Sequence, residues 1–122
     1  MERPYQHLQV ERHGDIYCVR LRSRRLLETE LLEMADELVS LIIDGGCRKL
    51  ALALGPESPE FLYSIFLAKL IMVRRRLKEC GGALRIYGAG REVVSLFEAC
   101  HLKEYFEFLP DKQAAIDSLS AA

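Results

Sequence analysis

The chain changes its hydrophobic period several times, and each change predicts an element. β-Forming residues cluster from His7 to Val10 and from Ile16 to Leu21 on either side of "ERHGD", whose His-Gly-Asp suits a tight turn, so an opening hairpin is expected. In "LLETELLEMADELVSLIIDGG" the apolar positions Leu31, Met34, Ala35, Leu38, Leu41 and Ile42 recur at helical spacing, and Gly45-Gly46 ends the run. "KLALAL", Lys49 to Leu54, is too short for a free-standing helix and has no polar face, which predicts a strand buried inside a sheet. A central helix is expected from Phe61 to about Glu79, with Ser58 as cap, Pro59 in the first turn and Gly81 behind its basic end. "ALRIYG" reads as a strand, Glu92 to Cys100 as a helix, "YFEFL" as a strand, and Pro110-Asp111 opens a last helix through Ala114, Ile116 and Leu119.

Strands that alternate with helices after a hairpin predict an α/β fold, a mixed, mostly parallel sheet of about five strands with about four helices. A chain of 122 residues with 50% hydrophobic content suits a single domain spanning residues 1–122.

Charge narrows the function. Seventeen basic and eighteen acidic residues leave a net charge of −1, which disfavours a nucleic-acid coat or a membrane-surface protein. Phe61 to Val73 is interrupted by Ser64 and Lys69, too short and broken to insert in a membrane, and the charged start resembles no leader, so a cytoplasmic location is expected. Cys18, Cys47, Cys80 and Cys100 form no C-x-x-C pair and read as reduced thiols.

Candidate chemistry is sparse. His7, His13 and His101 have no partner at metal-ligand spacing, so neither metal nor cofactor is expected. Gly88 and Gly90 give a G-x-G between strand and helix, but Val93 stands where a dinucleotide fingerprint needs its third glycine. The match is weak, and a tight strand-to-helix turn is the favoured reading of Gly88 and Gly90. Arg20, Arg22, Arg24 and Arg25 follow the second strand, with Arg20 and Arg22 on one face. They could bind phosphate, but the plainer reading is an exposed edge kept soluble by charge, and Arg74-Arg75-Arg76 has the same two readings, with a solvated helix end favoured. No nucleophile elbow is present, and an enzyme is not indicated.

"KLALAL" leading into "FLYSIFLAKL", the segment "RRRLKECGGALRIYG" and the closing "SLFEACHLKEYFEFLPDKQAAIDSL" together resemble the STAS domain, the fold of bacterial anti-sigma-factor antagonists. The resemblance implies a single STAS-like domain that acts by binding. Its partner would be an anti-sigma factor with a kinase fold, and a homodimer is compatible with it. In that family an Asp-Ser-Ser-Gly motif opens the central helix and its second serine accepts phosphate. The motif falls here on Tyr63, Ser64, Ile65 and Phe66, so the acceptor position carries no hydroxyl. Ser64 and Ser58 remain as phosphorylation candidates, and Phe61, Leu62, Tyr63, Ser64 and Phe66 as the expected docking surface. The alternative is a STAS subunit of a lipid transport assembly, docked on its ATPase without a phosphoserine, and a third reading, a small-molecule or nucleotide sensor, would require a pocket.

Overall fold

Gly14 and Asp15 form the whole of the first turn. His13 pairs directly with Ile16, and Gly14 takes φ 64°, the left-handed conformation required at the first turn position of a two-residue hairpin. The hairpin strands are β1 (Leu8–His13) and β2 (Ile16–Leu21). The computed structural model describes residues 5–22, 27–54 and 64–121. Ser58, Phe61, Leu62, Tyr63, Arg24 and Arg25 lie outside the described residues.

The remaining elements alternate: α1 (Glu28–Ile43), β3 (Lys49–Ala53), α2 (Ser64–Glu79), β4 (Ala83–Tyr87), α3 (Arg91–Ala99), a 3-10 turn Lys103–Tyr105, β5 (Glu107–Leu109) and α4 (Lys112–Ser120). The five strands lie in sequence order in one sheet, β1 antiparallel to β2 and every later pair parallel. The α/β fold with a mixed, mostly parallel sheet and four helices is thus as expected. The expected strand "YFEFL" is shorter, because Tyr105 closes the 3-10 turn and only Glu107–Leu109 reaches the sheet.

Pleating divides the core in two. On one face Val19, Leu50, Leu52 and Ile86 meet the apolar sides of α1, α2 and α3, including Leu38, Leu70 and Phe97. On the other, Ile16, Cys18 and Ala51 lie under Ala115 and Leu119 of α4. β3 is covered on both sides, with Leu50 to Ala53 at most 5% exposed.

The ends of the helices are tied by specific polar contacts. Glu30 reaches back to accept the N–H of Leu27 at 2.9 Å, and Arg48 donates to the carbonyl of Ile42 at 3.1 Å behind α1. Asp111 caps α4 by accepting the N–H of Ala114 at 2.9 Å.

Candidate docking site at the start of α2

A parallel step requires a helix that runs back across the sheet. The N-termini of α1, α2 and α3 therefore gather beyond the carboxyl ends of β2, β3 and β4, where α/β sheets commonly place their functional residues. Ser64 is the first described residue of α2 on this rim.

The two residues after it are committed inward. Ile65 is half-buried and packs against the main core, and Phe66 is 1% exposed. Phe66 begins an inward stripe continued by Leu70, Val73 and Leu77, each 1% exposed. The expectation that Phe66 belongs to an exposed docking patch is corrected here, because its ring is core. Phe61, Leu62 and Tyr63 lie outside the described residues.

On the α1 side of this rim, polar contacts fasten the described residues. Glu37 accepts the backbone N–H groups of Gln6 and His7 at 2.8 and 2.9 Å. The buried His7 sets Nε2 3.3 Å from Glu33, and Arg22 donates from Nε to the carbonyl of Tyr5 at 3.1 Å. These contacts fasten the chain entering β1 to α1 and β2. On the other side Gly88 turns at φ 73° and gives its N–H to Leu109 at 3.3 Å, so the G-x-G forms the strand-to-helix turn.

Arg20 does not decorate an edge. β2 is flanked by β1 and β3, and the sheet ends instead at β1 and β5. Among the described residues no group of three or more His, Cys, Asp or Glu side chains gathers to hold a metal ion. No helix among them is long and apolar enough to cross a membrane.

No family model matches the chain. No curated protein matches it. Solved structures do. A STAS domain protein from Planctomyces limnophilus is 21% identical, with TM-score 0.78 over 93% of this chain and 97% of that one. A putative anti-sigma factor antagonist from Thermotoga maritima is 14% identical, with TM-score 0.78 over 93% and 94%. The Bacillus cell-fate determinant SpoIIAA in its phosphorylated form is 16% identical, with TM-score 0.67 over 91% and 97%. With this strand order, this distribution of helices and these matches along nearly the whole chain, the protein has the fold of STAS-domain anti-sigma-factor antagonists.

Proposed function

We propose that this chain is a non-catalytic binding module of the anti-sigma-factor-antagonist kind, acting in transcription control by occupying a kinase-fold anti-sigma factor. The observation that carries the reading is the match over 93% of the chain to a putative antagonist structure. Docking uses the segment leading into α2, with Phe61, Leu62, Tyr63 and Ser64 as its contact residues. Phe66, 1% exposed, stays in the core.

Regulation departs from the phosphorylated type. Ile65 stands at the acceptor position and is half-buried, so a partner kinase binds the chain and leaves it unmodified. Control then lies in abundance or in the partner's nucleotide state. The absent hydroxyl also favours a second reading, a STAS subunit docked on a transport ATPase.

Affinity capture with the full chain from native lysate separates the two. A serine kinase recovered with a sigma factor supports the first, whereas a permease with its ATPase supports the second. Intact-mass measurement after incubation with the captured kinase and ATP should show no added phosphate. Phosphate on Ser64 or Ser58 would restore an ordinary phosphorylation switch. Ser64→Glu should weaken capture, since a carboxylate would be desolvated against the partner.

A further inference from the structure

The α4 side of the sheet holds a cavity of about 740 Å³, within the usual size range of small-molecule sites. It opens at the carboxyl ends of β2, β3 and β4. Its floor is one row across the sheet. Gln9 is the register partner of Arg20, Arg20 of Ala53, and Ala53 of Tyr87, and register partners point to the same face. The neighbouring row, Cys18 and Ala51, packs under Ala115 and Leu119 of α4, with Cys18 at the margin where the cavity begins.

Ala53 contributes only a methyl group. The guanidinium on β2 and the phenol on β4 thus stand on either side of a slot two strand spacings wide, about 10 Å. The buried thiol of Cys18 continues the apolar floor.

The charges around the slot are unequal in their commitments. Lys112 is paired with the Glu11 carboxylate, and the Asp111 carboxylate accepts the N–H of Ala114. Among the described residues Gln9, Arg20 and Tyr87 make no side-chain hydrogen bond or ion pair within the chain. Arg20 is therefore a lining cation in no ion pair, flanked by a carboxamide and a phenol, with the carboxylate of Asp111 held to its own helix start elsewhere in the lining. Burial pushes the Tyr87 phenol up from its ordinary value, against the opposing pull of Lys112 and Arg20. Burial likewise raises the Cys18 thiol and keeps its negative charge off the floor.

We propose that this slot binds a small organic oxyanion. Its carboxylate or phosphate group meets Arg20, its body lies on Ala53 and Cys18, and Tyr87 and Gln9 supply hydrogen bonds from the walls. A guanidinium suits either head group because its planar fork matches two oxygens at once.

The test is a pair of NMR titrations of the ¹⁵N-labelled full chain, one with indole-3-acetate and one with AMP. At least one probe should give saturable shifts at the amides of Ala53, Gly88 and Lys112, and the arm that saturates identifies the head group. Arg20→Gln should weaken that binding at least tenfold, and Ala53→Leu, which fills the slot, should abolish it. Arg20→Gln changes an exposed side chain, so it remains decisive if the Ala53 variant does not fold. Absence of saturable shifts with both probes, or equal affinity in Arg20→Gln, overturns the proposal.

Discussion

Gly81 and His101 hold the same position behind different helices, and only one of them has the residue that the position favours. Behind α2, Gly81 takes φ 77° and donates to the carbonyl of Lys78 at 3.0 Å, while Gly82 donates to Leu77 at 2.7 Å. Behind α3, His101 takes φ 58° and donates to Glu98 at 3.0 Å, while Leu102 donates to Phe97 at 2.8 Å. Both are Schellman closures, whose central residue is left-handed and costs a side-chain-bearing residue about 1 kcal/mol. His101→Gly should therefore raise stability by roughly 0.5–1 kcal/mol, and Gly81→Ala should lower it by about 1 kcal/mol. Urea midpoints at constant m-value measure both.

Gly82 is required for a different reason. A Cβ built there would stand 2.2 Å from the carbonyl oxygen of Arg48, the same oxygen that accepts the N–H of Ala83 at 2.8 Å where β4 joins β3. The obstacle is backbone, so no side chain can swing away. Gly82→Ala should cost about 1–3 kcal/mol by overpacking, read as a lower urea midpoint. A variant as stable as the parent would contradict the close approach.

The thiols divide by burial. Cys18 and Cys47 are buried, Cys80 and Cys100 exposed, and burial pushes the Cys47 thiol up to about 12. Iodoacetamide at pH 8 should label Cys80 and Cys100 quickly and the buried pair at the rate of unfolding. The raised Cys47 also sets a sign for alkaline stability. Below its ordinary value near 9 the thiol is protonated folded or unfolded, and above that only the unfolded chain releases the proton. Its stabilising contribution is complete below pH 9 and is lost as the pH rises toward 12. Cys47→Ala should flatten that alkaline decline in a pH series of melts.

Periodicity made the sheet and helices legible because it reports which faces are apolar. "KLALAL" could only be doubly covered, and Leu50 to Leu54 are so. It was less informative where the apolar residues surround a helix. Phe61, Leu62, Tyr63 and Phe66 look alike in composition, yet the i, i+4, i+7, i+11 spacing of Phe66 with Leu70, Val73 and Leu77 carried the signal of an inward ring. Arg20 was misread as an edge residue because edge status depends on which strand pairs outside β2. The cavity was not legible at all. Gln9, Arg20, Ala53 and Tyr87 are distant in sequence and meet only through cross-strand register.

The burial of Phe66 separates folding from docking at the start of α2. A phenylalanine that is 1% exposed contributes its whole ring to the core, so Phe66→Ala should cost about 3–5 kcal/mol in stability. Phe66→Leu keeps most of the apolar volume and should cost far less. Neither substitution removes a partner contact if docking uses Phe61, Leu62 and Tyr63. Partner affinity of folded Phe66→Leu, measured well below its melting temperature, should therefore match that of the parent, whereas Tyr63→Ala should lose affinity with a smaller change in stability. Calorimetric melts and titrations on the same samples provide both readouts. A Phe66→Leu variant with parental stability and reduced affinity would instead place this ring in the interface, which would require α2 to rotate its core stripe outward on binding.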